Sequence, residues 1–137
     1  MKYLNESFTN FVDNLQLLLE QENPIIIDRL KDAISNKKKC NIYYKDIDNP
    51  NKIQQGIRFI EPYCIGISPK GNTILRAWLE GGTSKTGDKD PNVVPGWRIY
   101  RIDRIQQVTF AGNFTIAKTG YTPEDSHMSE IILAAEF

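Results

Sequence analysis

One histidine and two cysteines are all that this chain of 137 residues has of imidazole and thiol groups, the usual zinc ligands and neutral-pH proton carriers. Cys40, Cys64 and His127 stand far apart in sequence, in no Cys-x-x-Cys or Cys/His cluster, so a metal site lacks ligands and no cofactor is called for. Both cysteines are expected as reduced strand residues packed like small apolar groups. His127 lies in a polar segment with no serine or cysteine nucleophile at a spacing that suggests a triad, which predicts a surface residue and a protein that is not an enzyme. Long apolar runs are missing too. Nothing approaches the roughly 18 residues a spanning helix needs, and Met1–Glu6 leads into no signal-peptide core, which predicts a soluble cytoplasmic protein without a membrane partner. The glycine-rich polar run Gly81–Pro91 lacks the spacing of a P-loop and precedes no helix, which argues against nucleotide hydrolysis and leaves either a loop beside a site or a plain hairpin connection.

A net charge of zero, from 17 basic and 17 acidic residues, conceals a partition along the chain. Residues 1–36 carry three basic and six acidic side chains, residues 37–104 thirteen and seven, and residues 105–137 one and four. The centre is therefore +6 and each flank −3. A locally basic core with acidic ends suits anion binding at one face.

Phe8, Phe11, Val12, Leu15, Leu18 and Leu19 recur at helical spacing and predict an amphipathic helix over 7–21. Asn23-Pro24 supplies a cap and first-turn proline for a second helix, which ends near Asn36 and buries Ile26, Ile27, Leu30, Ala33 and Ile34. This helical pair either covers the core or meets a partner. From Lys39 the period turns to alternation, with strands expected at Cys40–Lys45, Gly56–Glu61, Tyr63–Ser68, Thr73–Leu79, Arg98–Ile102 and Gln106–Phe110. Pro62 separates the second from the third, because proline cannot donate to a central ladder. Pro69-Lys70-Gly71-Asn72 has the composition of a tight turn. Strands this close, with no helix between them, indicate an α+β chain built on a small antiparallel barrel or sandwich. The tail after Tyr121 fits either a short helix or an edge strand around Ile131–Leu133.

Five of the six arginines, Arg58, Arg76, Arg98, Arg101 and Arg104, fall between Gly56 and Arg104, threaded through apolar and aromatic residues. Arginine interleaved with aromatics is how proteins hold anions and flat bases. Strand alternation places Leu75, Ala77 and Leu79 on one face and Ile74, Arg76 and Trp78 on the other, a guanidinium beside an indole. It also puts Tyr100 and Ile102 inward and Arg101 outward, with Arg98 of inward parity at the strand start and Arg104 beyond a departure from strand geometry.

Taken in order, these segments resemble the WYL domain family. The helix through Leu30, Ala33, Ile34 and Asn36 leads to Ile42 and Tyr44. Arg58-Phe59-Ile60-Glu61-Pro62-Tyr63 follows, then Asn72-Thr73-Ile74-Leu75-Arg76-Ala77-Trp78, and finally Arg98-Ile99-Tyr100-Arg101-Ile102-Asp103-Arg104-Ile105, which resembles the family's closing motif. Thr73-Ile74-Leu75 stands where the family's name tripeptide is expected. The resemblance spans roughly 25–110. It implies an Sm-like, SH3-type β-barrel at 37–112, preceded by two α-helices in 1–36 and followed by an extension at 113–137. It further implies a bacterial or phage regulator that binds nucleic acid or a nucleotide-type ligand through Arg76, Arg98, Arg101 and Arg104, with Arg58 beside them; Trp78 joins these candidates from the alternation that sets it beside Arg76. The competing expectation is an interaction or assembly protein, partnered or homo-oligomeric through its acidic flanks, with the barrel as scaffold.

Overall fold

The computed structural model describes residues 24–46, 54–84 and 87–137. One helix, α1 (Pro24–Asn36), precedes strands β1 (Lys38–Asp46), β2 (Gln54–Ile67), β3 (Thr73–Gly82), β4 (Gly96–Arg101), β5 (Ile105–Asn113) and β6 (Glu130–Ala134). The first of the two expected helices, 7–21, and the cap Asn23 lie outside the described residues. α1 starts at Pro24, whose fixed φ suits a first turn, and buries Ile26, Leu30, Ala33 and Ile34. It stops where Lys37 takes a left-handed φ of 52°.

All six strands form one antiparallel sheet in the order β4-β3-β2-β1-β5, with β6 added to β2. The expected barrel is not closed: among the described residues no ladder joins β4 to β5. A 3-10 turn, Ile102–Arg104, connects these two edges instead. A side chain stands where a closing ladder would run, because the backbone N–H of Arg101 donates to the Tyr44 hydroxyl (3.4 Å). The Tyr44 and Tyr100 rings meet edge to face at 4.9 Å beside it. α1 packs across β5, β2 and β1, and Arg29 donates to the Val108 carbonyl (2.9 Å). The core beneath it joins Leu30 and Ile34 to Ile42, Ile60, Leu75, Ala77, Ile102 and Val108, as the alternation in β3 requires.

The break expected at Pro62 does not occur. β2 runs unbroken through it, with Pro62 opposite Ala77 of β3 and a register shift between Pro62 and Cys64. On its other flank the β1 ladder ends at Ile60 and the β6 ladder begins at Cys64, so a residue without an N–H sits in the gap between them. Pro69–Gly71 turn as expected, with Gly71 donating to the Ser68 carbonyl (2.8 Å). Thr83 and Lys89 bridge, making the glycine-rich run a small hairpin extension.

The tail resolves as strand β6. Gly66 lets it approach, since a Cβ there would stand inside contact distance of the Glu130 carbonyl oxygen and of Met128 Sδ (2.5 Å). Cys64, Ile74 and Met128 form a second small core beneath this segment. Both cysteines are buried and free, and desolvation pushes their thiols up, Cys64 to about 11 and Cys40 to about 12. No helix among the described residues is long and apolar enough to cross a membrane.

Candidate ligand-binding site

The arginines singled out by sequence do not converge on one face. Alternation along β1 to β4 delivers Tyr44, Arg58, Leu79, Arg98 and Tyr100, each strand contributing, to the same open end of the concave face. There they line a cavity of about 340 Å³ with Asn92, Val93, Val94 and Ile99. The inward parity of Arg98 therefore ends in this cavity rather than in open solvent.

Arg58 and Arg98 are held by neutral partners. Arg58 Nη1 donates to the carbonyls of Ile57 (3.2 Å) and Thr83 (3.0 Å), and its residue is only 8% exposed. Arg98 donates from Nη1 to the Trp97 carbonyl (2.9 Å) and from Nη2 to the Val94 carbonyl (2.8 Å). The two guanidiniums thus brace the two ends of the β3–β4 connection while keeping their charge. Burial pushes the Tyr100 hydroxyl up to about 12, against the opposing pull of both these cations. Two fixed positive charges, partly desolvated, with apolar and aromatic walls, make a receptor for an anion attached to a flat or apolar body.

The other expected residues lie elsewhere. Arg101 is paired with Asp103, at 3.1 Å from Nε and 2.6 Å from Nη2, with each side chain about a third exposed. Arg104 is buried in the 3-10 turn. Trp78 stands opposite Trp97 across β3 and β4, the rings edge to face at 5.5 Å, so its neighbour is an indole rather than an open stacking space.

Arg76 belongs to a second cavity of about 350 Å³ on the outer side, lined with Trp97, Tyr121, Glu124, Asp125 and His127. Its guanidinium grips Asp125 through Nε (2.7 Å) and Nη2 (3.2 Å) and lies 2.9 Å from His127 Nδ1. A guanidinium has no acceptor, so in this contact the ring nitrogen is the acceptor. The same nitrogen lies 3.5 Å from Asp125. Burial raises the Asp125 carboxyl, but hydrogen bonds from Arg76 and the His127 N–H outweigh it and hold the group below the usual range. A depressed folded value contributes stability that is complete above the ordinary carboxylate range and fades as pH falls through the folded value. Acid titration monitored by tryptophan fluorescence is expected to report loosening beside Trp97 below about pH 4. In Asp125→Asn this acid-dependent component disappears.

Sequence reading missed Tyr44, Tyr100, Asn92, Val93 and Val94 as lining residues and Asp125 and His127 as partners of Arg76. The parity that Tyr100 shares with Arg98 was the available signal for the first group. Nothing local signals a contact 49 residues along the chain.

Compared with known families, residues 26–110 match the family model of the WYL domain, more than half of the chain. No curated protein and no solved structure matches it.

Proposed function

Because the chain belongs to the WYL domain family, whose members have regulatory, nucleic-acid-binding and ligand-sensing roles, we propose that it is a non-enzymatic regulatory module of the bacterial cytoplasm, binding nucleic acid or a nucleotide-type ligand. The reading rests on one observation above all: Arg58 and Arg98 line one cavity and, among the described residues, have backbone carbonyls rather than carboxylates as partners. Arginine charge left uncompensated in a half-buried cavity is costly unless an anion completes it. Leu79, Val93 and Val94 offer apolar wall for a base or sugar, and Tyr44 and Tyr100 offer ring edges. Arg101, exposed at the rim strand, adds a longer-range attraction that Asp103 partly cancels.

The test is fluorescence anisotropy with labelled single-stranded DNA and RNA at low salt, together with calorimetry on nucleotides. Saturable binding that weakens as salt is raised is expected. Absence of binding to every one of these probes at low salt overturns the reading.

A second reading, an assembly scaffold, is favoured by the carboxylates that neutralise Arg76 and Arg101 and by exposed Ile131 and Ile132 on β6. Light scattering separates the two, since a monomer at every concentration counts against the scaffold.

A further inference from the structure

The charge and size of the Arg58–Arg98 cavity say more about its ligand than that it is an anion. Among the described residues its titratable lining consists of two arginines and two tyrosines, so that wall is doubly positive and carries no acid. Arg76 and Arg101, by contrast, have carboxylate oxygens at 2.7 and 2.6 Å. Each of the two cavity guanidiniums makes two carbonyl bonds, which fix the plane of its fork and leave further N–H groups to give. An anchored fork loses little freedom on binding, which favours tight recognition.

Two charges call for two. An internal phosphodiester brings one negative charge and leaves the second guanidinium unneutralised. A terminal phosphate monoester brings about two near neutral pH, with three acceptor oxygens. In a partly desolvated cavity the second charge is felt more strongly than in water. Size points the same way. A cavity of about 340 Å³ is near the small end of ligand sites, room for one nucleotide unit, whereas sites that track a strand run along several nucleotides.

Resting on the function proposed above and on the same site, we infer that the cavity selects a phosphate monoester, the dianionic end of a free nucleotide or of a nucleic-acid strand, over the internal phosphodiesters of a continuous strand. Arg58 and Arg98 share the terminal phosphate, and the attached sugar and base lie against Leu79, Val93 and Val94.

The experiment compares four probes against the full chain by calorimetry and anisotropy: a nucleoside 5′-monophosphate, the parent nucleoside, and one short single-stranded oligonucleotide with a 5′-phosphate or a 5′-hydroxyl. Phosphorylated probes are expected to bind at least about tenfold more tightly than their unphosphorylated partners, the effect of one extra well-placed charge interaction. That advantage shrinks as pH falls through about 6, where the monoester takes up a proton, while the hydroxyl-ended strand shows no such change. Binding of the mononucleotide alone identifies a free nucleotide as the source. Binding of the phosphorylated strand alone identifies a strand end; both outcomes support the inference. Equal binding of the phosphorylated and hydroxyl-ended strands overturns it while leaving the proposed function standing. Binding of no probe overturns both. Arg58→Lys and Arg98→Lys, which keep charge and bulk, are expected to reduce the phosphate preference severalfold because the planar fork is lost. A preference untouched by either lysine variant places the phosphate elsewhere and also overturns the inference.

Discussion

Replacing Arg58 and Arg98 together with alanine is expected to weaken nucleotide or single-strand binding by a factor on the order of 100 or more, since hydrogen bonds to charged groups contribute about 1.5–3 kcal/mol each. The salt dependence should flatten as well, by about 0.7 in log–log slope for each single-strand phosphate whose contact is lost. Both side chains also brace the β3–β4 connection through the Thr83 and Val94 carbonyls, so urea unfolding must accompany the binding measurement. The double lysine variant separates the two roles. Lysine keeps the charge and most of the bulk but not the fork, and is expected to fall between wild type and the alanine pair in affinity. Arg101→Ala gives a smaller loss, about threefold, because its charge is exposed and already met by Asp103. A folded double alanine variant that binds as tightly as wild type removes this cavity from the function.

How much of this was legible before the structure depends on how local each contact is. Helix α1 was readable because its first-turn proline and apolar stripe act within a few residues. The two faces of β3 were readable because alternation is a property of the backbone. The parity of Arg98 with Tyr100 was readable for the same reason, but its destination was not. That destination depends on Tyr44 filling the gap between β4 and β5, which keeps the sheet open and gives the cavity a mouth. Pro62 misled for an informative reason. Proline does interrupt a ladder, yet here the interruption falls on one flank of β2, between β1 and β6, while the β3 flank continues past it. The pairing of Arg76 with Asp125 was out of reach, because it joins β3 to an irregular segment whose course is set by packing around Met128 and Tyr63 rather than by its own sequence pattern.

That segment supplies the second large effect. Glu61 is 1% exposed, and its carboxylate is met by the Tyr63 hydroxyl (2.9 Å) and the Lys118 ammonium (3.1 Å), with Lys39 further off at 3.8 Å and shared with Glu80. Lys118 also donates its backbone N–H to the Tyr63 hydroxyl (2.9 Å), so one residue ties the carboxyl-terminal segment to β2 twice. Tyr63 in turn packs edge to face on Trp97 and touches the rings of Phe114, Tyr121 and Phe137. Removing one partner of a fully buried pair costs about 3–5 kcal/mol, and because the lysines here are about a third exposed, Lys118→Met is expected to cost about 2 kcal/mol. Glu61→Gln is expected to cost less, about 1 kcal/mol, because the lysines it releases reach water while the amide still accepts from Tyr63. The asymmetry follows from which charge is trapped: the carboxylate is buried and the ammonium groups are not. Urea unfolding with unchanged m-values measures it, and hydrogen exchange in Lys118→Met should show β6 losing protection before β1 and β2. If Lys118→Met proves the less costly of the two, the buried carboxylate does not depend on the Lys118 ammonium, and Lys118 serves the segment through its backbone alone.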